Sequence, residues 1–292
     1  MVALTVSLAV LVGIALGLLG GGGSILTVPL LAYVAGMDAK QAIATSLLVV
    51  GVTSAVGAIS HARAGRVQWR TGLVFGVAGM AGAFAGGLLS RYIPGSVLLI
   101  GFALMMIATA IAMLRGRKNI VASANGHRTP VVKIVAEGLV VGLVTGLVGA
   151  GGGFLVVPAL ALLGGLPMPV AVGTSLVVIA MKSFAGLAGY LSSVTIDWRL
   201  AAMVTAAAVV GALIGARLTA LVDPDSLRKA FGWFVLLMSS IILAEEIHPA
   251  VGIGAGALTV IAAAVYTLRG RRHSADDAAV KLAVSEPQGG RQ

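Results

Sequence analysis

Two stretches of this chain are nearly the same: GLLGGGGSILTVPLLA at residues 17–32 and GLVGAGGGFLVVPALA at residues 146–161. Gly146 lies 129 residues after Gly17, and the same offset pairs further residues without a gap. It matches Thr45-Ser46 with Thr174-Ser175, and Trp69-Arg70 with Trp198-Arg199. A glycine-rich composition repeats Gly by chance, but it does not place Pro, Thr-Ser and Trp-Arg in one register. The sequence therefore predicts two copies of one unit.

The composition predicts that both copies lie in a membrane. Of 292 residues, 59% are hydrophobic and only 10% are charged, with a mean hydropathy of +1.06, whereas soluble domains carry about 25% charged residues. Uncharged runs such as residues 73–90 approach the roughly 20 residues that a helix needs to cross the hydrocarbon core. These runs are continuous, unlike the alternating strands of a membrane barrel. The predicted fold class is all-α, a polytopic transmembrane helical bundle.

The two copies are predicted to contain the same order of segments. In each copy a first helix leads into the Gly-rich motif, a short apolar segment follows, and three longer helices come next. The predicted segments are 4–19, 25–35, 39–60, 71–90 and 96–114 in the first copy, and 132–148, 154–164, 169–191, 200–220 and 226–244 in the second. The short segments are half-helices or arms of re-entrant hairpins. With one extra helix at 250–268, we expect roughly eight to eleven membrane segments, some of them broken by glycine.

This segment order implies five regions along the chain. The first transmembrane repeat covers residues 1–116, and a basic cytoplasmic linker covers 117–130. The second repeat covers 131–246, the extra C-terminal helix 247–269, and a polar tail, expected to be disordered, 270–292. The apolar N-terminal segment is interpreted as a membrane helix and not as a signal peptide, because it lacks a basic leading region.

The distribution of charge predicts that the second copy is inverted relative to the first. With the tail in the cytoplasm, sixteen of the 20 Lys and Arg residues fall on the cytoplasmic side, and only Lys40, Arg91 and Arg199 fall outside. The loop HARAGRVQWR (61–70) is strongly basic, whereas its counterpart YLSSVTIDWR (190–199) is nearly neutral. Equivalent loops on opposite faces of the membrane would differ in this way. We therefore expect a multi-pass protein of the cell membrane, with its N-terminus outside and its C-terminus in the cytoplasm.

Several functional classes are not predicted. The net charge of +10 is accounted for by cytoplasmic loops, so nucleic acid is not expected as a partner. The chain has no cysteine, and its four histidines form no ligand-spaced pair, so we expect no metal site and no cofactor. Carboxylate pairs and Ser/His/Asp sets are missing from the predicted membrane segments, so the chain is not predicted to be an enzyme.

The Gly motifs are the first candidate functional site. Each glycine disfavours helix by about 1 kcal/mol, and in lipid the freed backbone groups need other partners. A half-helix that begins at such a break presents free amides and partial positive charge, which suit an anion. Close helix packing through small residues is the alternative. The candidate substrate-binding residues here are Gly20, Gly21, Gly22, Gly23, Gly149, Gly151, Gly152 and Gly153.

Polar side chains of the long helices complete the candidate site. The pairs Thr45-Ser46 and Thr174-Ser175 offer hydroxyl donors to a ligand, with hydrogen bonding back to the preceding helical turn as the alternative. Lys182 lies midway along a predicted helix, where it can neutralise a substrate anion or extend toward the interface. Ser54 and Ser183 are further lining candidates, and Glu137 is a candidate for ion coupling.

At GLLGGGGSILTVPLL and GLVGAGGGFLVVPAL, followed by ATSL and GTSL and then by WR, the chain resembles the sulfite exporter TauE/SafE family. The resemblance covers both repeats and leaves out the tail. It implies a permease of the cytoplasmic membrane that moves sulfur-containing anions such as sulfite or sulfoacetate. The second motif has Ala150 where the first has Gly21, so the two half-sites are unequal.

The leading hypothesis is a secondary transporter for a small anion, sulfite or an organosulfonate, that works by alternating access. The two Gly-rich breaks are expected to meet near the midplane and to hold the anion together with the Thr-Ser hydroxyls and Lys182. The expected partners are this anion and the lipid bilayer. An anion channel-like pore and a non-transporting membrane scaffold are the alternatives.

Overall fold

Every regular element of the described residues is a helix. The computed structural model describes residues 2–19, 22–114, 131–149, 168–218 and 224–247, together with Val156 and Leu160. Nine helices lie in these ranges. They are α1 (Val2–Leu19), α2 (3₁₀ turns Gly22–Leu26, an α-helical turn Thr27–Pro29 and a π-helical turn Leu30–Val34), α3 (Ala39–Arg63), α4 (Trp69–Leu89, extended by a 3₁₀ turn at Ser90–Tyr92), α5 (Gly95–Leu114), α6 (Val131–Val148), α7 (Met168–Tyr190), α8 (Trp198–Leu218) and α9 (Pro224–Glu246).

The predicted all-α membrane fold is confirmed. Four helices of the described part are long and apolar enough to cross a membrane: Ala39–Arg63, Trp69–Tyr92, Val170–Tyr190 and Trp198–Leu218. Four shorter apolar helices accompany them: Ala3–Leu18, Ser24–Val34, Gly95–Ile111 and Ile134–Val148. The bounds of these nine helices agree with the predicted segments within three residues. Trp69 and Trp198 open α4 and α8 and are more than half exposed, as expected of anchors at a membrane interface.

The offset of 129 residues also relates the helices themselves. It relates the starts of α1 and α6, α3 and α7, α4 and α8, and α5 and α9. The pairs α1 and α6, and α4 and α8, also end at this offset. The repeat found in the sequence therefore has the same helical pattern in both halves.

Helix α2 is too short to cross a membrane. Its thirteen residues, Gly22 to Val34, rise about 20 Å at 1.5 Å per residue, against a hydrocarbon core of about 30 Å. Pro29 lies within it, and its regularity changes from 3₁₀ to α to π along its length, since proline removes one backbone donor. The short segment predicted in the first repeat is confirmed. Its counterpart at 154–164 lies outside the described residues, apart from Val156 and Leu160, which are buried.

Each repeat packs its first helix on the other repeat. Helix α1 packs on α8, and its equivalent α6 packs on α4. Backbones approach so closely that a Cβ added at Gly13 would lie 2.2 Å from the Ala208 carbonyl oxygen, and one at Gly142 would lie 2.2 Å from that of Gly79. Small residues allow this approach, and van der Waals packing of this kind holds helices together in lipid. The same closeness recurs at Gly17, Gly82, Gly86, Gly146, Gly211 and Gly215.

Helices α3 and α7 pack against each other with opposite directions. A Cβ at Gly51 would lie 3.2 Å from the Phe184 ring, whereas a Cβ at Gly57 would lie 3.4 Å from Leu176. Residue numbers therefore rise along α3 as they fall along α7. Because α3 and α7 are equivalent helices, this crossing brings the middles of the two repeats together at the centre of the bundle.

The predicted linker (117–130), the extra helix (250–268) and the tail (270–292) lie outside the described residues. The five regional boundaries stay predictions.

Candidate functional site

Gly149 ends helix α6 in a conformation that favours glycine. Its φ is +74°, a left-handed value common at helix C-termini, and its N–H donates to the Thr145 carbonyl at 3.0 Å. A Cβ here would lie 2.5 Å from Cγ2 of Ile43 on α3. Any other residue would therefore be strained by its backbone and would collide with the neighbouring helix.

Ser46 joins the first repeat to the break in the second. Its hydroxyl donates to the Gly149 carbonyl at 3.0 Å, which satisfies a buried backbone acceptor at the end of α6. The sequence predicted both residues for the site, and the structure brings them together. Ser46 lies about 10 Å from the start of α3 at 1.5 Å per residue. The meeting of the two breaks near the midplane stays a prediction.

Thr45, next to Ser46, is fully buried, and its hydroxyl has no hydrogen-bond partner among the described residues. The same is true of Ser54 and Ser183, two buried residues at equivalent positions of α3 and α7. Buried polar atoms without a partner are uncommon, and each calls for an explanation such as water or a ligand. These three hydroxyls are therefore available to hydrogen-bond a polar ligand.

Lys182 lies near the middle of α7, as predicted, and is 1% exposed. Its Nζ donates to Oγ1 of Thr145 at 3.2 Å, so extension of the side chain toward the interface is not observed. The Thr145 hydroxyl itself donates to the Val141 carbonyl at 2.7 Å, which leaves its oxygen free to accept from the ammonium. Within the described part of the chain, no carboxylate pairs with Lys182.

The charge of this ammonium is only partly balanced. Thr145 and Gly149 form the last turn of α6, and the carbonyl end of a helix carries about half a negative charge. A buried cation beside this end is favoured, but a helix end is not a full counter-charge, and burial of an unbalanced charge is expensive. A small anion next to Lys182 and Thr145 would complete the balance.

Two residues of this region were missed from the sequence. Thr145 accepts from Lys182, and the Tyr190 hydroxyl donates to the Leu147 carbonyl. Both are buried. Thr145 lies one turn ahead of a predicted break, but a threonine in an apolar helix ordinarily bonds to its own backbone. Nothing in the sequence connects Tyr190 with the end of α6.

Thr174 and Ser175 make different contacts from their first-repeat counterparts. Thr174 Oγ1 accepts from the backbone N–H of Gln68 at 2.9 Å, at the start of α4. Ser175 donates to the carbonyl of Val172 at 2.7 Å, within its own helix, which is the local bonding left open as an alternative. Both residues therefore have structural hydrogen bonds, and their contact with substrate stays a prediction.

The remaining motif glycines are only partly described. Gly22 and Gly23 begin α2, as expected of a break followed by a short helix. Five motif glycines lie outside the described residues: Gly20, Gly21, Gly151, Gly152 and Gly153. Binding of an anion by their backbone amides stays a prediction. Across the described ranges no three His, Asp or Glu side chains group as metal ligands would. Two apolar grooves lie on the bundle surface, between α3 and α8 and between α4 and α6, away from Lys182.

Comparison with known proteins agrees with these features. The family model described as sulfite exporter TauE/SafE matches residues 5–242. A probable membrane transporter protein of Xylella fastidiosa is 36% identical over 235 residues, which cover 78% of this chain and 90% of the relative. One from Bacillus subtilis is 30% identical over 223 residues, covering 75% and 91%. One from Methanocaldococcus jannaschii is 29% identical over 202 residues, covering 66% and 74%.

No solved structure matches this chain. The family match spans both Gly motifs, the Thr-Ser pairs and Lys182, and the helices are those of a multi-pass membrane protein. This membrane transporter belongs to the sulfite exporter TauE/SafE family.

Proposed function

We propose that the chain is a secondary transporter that carries a small anion, sulfite or an organosulfonate, across the cell membrane without changing it chemically. The observation that carries this proposal is Lys182, a lysine that is 1% exposed and whose ammonium donates to a hydroxyl and not to a carboxylate. A cation at that depth in a membrane protein commonly marks a substrate pathway. The sulfur-containing substrate follows from the family description.

The residues around Lys182 have complementary roles in this proposal. The anion receives the lysine charge and hydrogen bonds from unpartnered hydroxyls such as those of Thr45 and Ser183. Ser46 fixes the position of the Gly149 carbonyl, and thereby the start of the glycine-rich segment that follows. The glycine amides of residues 151–153 are proposed as further donors to the anion.

Alternating access is proposed to arise from two inverted repeats. The opposite directions of α3 and α7, which are equivalent helices, support inversion, as does the excess of basic residues on one predicted face. An N-terminus outside and a C-terminus in the cytoplasm follow from this arrangement. Rocking of one repeat against the other would then expose Lys182 to each side in turn.

Counterflow in proteoliposomes tests this function. Vesicles that contain the purified full-length protein are loaded with unlabelled sulfite, and uptake of labelled sulfite is measured. A carrier shows uptake that internal sulfite stimulates, whereas an anion pore shows flux without stimulation and a scaffold shows no flux. The experiment is repeated with taurine, sulfoacetate and sulfate, so that an organosulfonate substrate is also detected.

The Lys182→Met variant tests the residue that carries the proposal. We expect apparent sulfite affinity to fall about 100-fold or more, corresponding to about 2.7 kcal/mol, while the protein still inserts and elutes as a single species. Its matched control is Thr53→Val at the equivalent position of the first repeat, where the hydroxyl bonds only within its own helix. Equal affinities in both variants and the parent would exclude Lys182 from the site.

A further inference from the structure

At several equivalent positions the second repeat is more polar than the first, and three of these positions concern Lys182 and helix α6. At each of them an uncharged residue of the first repeat, apolar in two cases, is replaced by a more polar or charged one. The pairs at the offset of 129 residues are Leu8 and Glu137, Leu16 and Thr145, and Thr53 and Lys182. Two of the three second-repeat residues, Thr145 and Lys182, are already in contact. The third, Glu137, has no role in the function proposed above.

Glu137 and Thr145 lie on one stripe of α6, and Thr145 contacts Lys182 of α7. The stripe has the three- and four-residue spacing of one helix face, and its members are Ile134, Glu137, Val141 and Thr145. Ile134 and Val141 pack against a buried cluster that contains Val178 and Ile179 of α7. The stripe therefore borders a buried cluster to which α3, α4 and α7 all contribute.

The stem of Lys182 lies close to Gly79 of α4, and its ammonium reaches Thr145 of α6. A Cβ added at Gly79 of α4 would lie 3.6 Å from the Gly138 carbonyl oxygen and 3.9 Å from Cβ of Lys182. The Lys182 stem and the carbonyl of Gly138, the residue after Glu137, therefore both lie close to Gly79. The ammonium donates to the hydroxyl of Thr145, which lies eight residues, or about 12 Å of helix rise, beyond Glu137.

Glu137 and Lys182 are opposite charges that are not paired in this conformation. Oε2 of Glu137 is buried and has no hydrogen-bond partner among the described residues. Lys182 likewise has no carboxylate partner there. Because an unpaired buried charge is costly on either side, a conformation that joins the two would relieve both. The flexible four-carbon stem of lysine permits this rotation.

We propose that Glu137 is the internal counter-ion of Lys182 and competes with the transported anion for it. Without anion the ammonium pairs with Glu137, and with anion it turns to Thr145 and the substrate. This inference rests on the proposed function and adds a mechanism of release to it. If Lys182 is paired with Glu137 for about nine-tenths of the time, the apparent anion affinity is about tenfold weaker than the intrinsic affinity. The carboxylate thereby speeds release of the anion.

Sulfite binding by the purified full-length protein tests the competition. Glu137→Gln is expected to bind sulfite about tenfold more tightly, and preloaded vesicles are expected to release sulfite more slowly. Glu137→Leu, which introduces the residue of the first repeat, is expected to do the same and serves if the amide variant folds poorly. Glu245→Gln is the matched control, because Glu245 is exposed at the end of α9, and it is expected to leave affinity unchanged. Unchanged affinity in both Glu137 variants overturns the proposal.

Thermal unfolding without any anion separates this inference from the transport proposal. Lys182→Met and Glu137→Gln are each expected to lower the unfolding midpoint, and the double variant is expected to lower it by less than the sum of the two. Additive shifts overturn the ion pair even if sulfite is transported. A non-additive cycle in a protein that binds no sulfite or sulfonate supports the ion pair and contradicts the proposed function.

Discussion

The two repeats are alike where their helices cross and unlike where charge is buried. Gly13 and Gly142 occupy equivalent positions, and each lets α1 or α6 approach a carbonyl of the other repeat. Lys182, in contrast, has Thr53 as its equivalent. The shared register therefore preserves a scaffold, while the buried lysine of the described residues lies in the second repeat.

Physical chemistry accounts for this division. Helix association in lipid depends on close packing. Both crossings need close packing because the main packing partner of each first helix belongs to the opposite repeat. A buried charge is expensive in a membrane, and a second one would require its own counter-ion. In the proposed function one lysine suffices for one small anion, so the first repeat can remain neutral at this position.

The largest expected effect tests the shared scaffold. Gly13→Ala and Gly142→Ala each place a methyl group 2.2 Å from a backbone oxygen, and separation of the helices should destabilise the fold by about 3 kcal/mol. We expect equal falls in the thermal unfolding midpoint of the detergent-solubilised protein. Gly101→Ala is the control, since its nearest neighbour would be a Val148 methyl 4.0 Å away. A large fall in only one of the two variants would contradict the equivalence of the crossings.

The second effect tests whether the chemistry can be transferred between repeats. In the Lys182→Met background, Thr53→Lys places an ammonium at the equivalent position, but Leu16 there offers no acceptor in place of Thr145. Sulfite affinity is expected to stay about 100-fold below that of the parent, corresponding to about 2.7 kcal/mol. Titration of sulfite by calorimetry measures this. Recovery of affinity would mean that the repeats are chemically interchangeable.

The smallest effect compares the two serines. Ser46→Ala removes the donor to the Gly149 carbonyl and leaves a buried acceptor unsatisfied, at a cost of about 1–3 kcal/mol. Ser175→Ala removes a bond within one helical turn and is expected to cost about 0.5 kcal/mol. Unfolding midpoints of the two variants measure the difference. Equal midpoints would indicate that the Ser46 bond contributes no more than a local one.

Most of the fold was predictable from the sequence because two signals coincide. The apolar runs locate the helices, and the repeat relates each helix of the first half to one of the second. The helix bounds predicted in one half can therefore be checked against those predicted in the other. The pairing of helices was not predictable. Glycines four residues apart occur at Gly13 and Gly17, and at Gly142 and Gly146, but such spacing indicates a close crossing without naming the partner helix.

The candidate site was predictable only in part. Lys182 stands out because charge is rare in such a helix, and Gly149 because its motif is repeated. Thr145 does not stand out, since a threonine in an apolar helix ordinarily bonds to its own backbone, as this one also does. Its second role as acceptor depends on which helix lies opposite, and that is a property of the packing.

The exchange of first helices between repeats has a consequence for biosynthesis. The ribosome completes α1 long before α8, its packing partner, has been made. The glycine-lined face of α1 must therefore reside in the bilayer unpaired while the rest of the first half, the connecting stretch and most of the second half are synthesised. The final assembly of this protein is thus a late event, which a nascent chain halted between its two halves cannot reach.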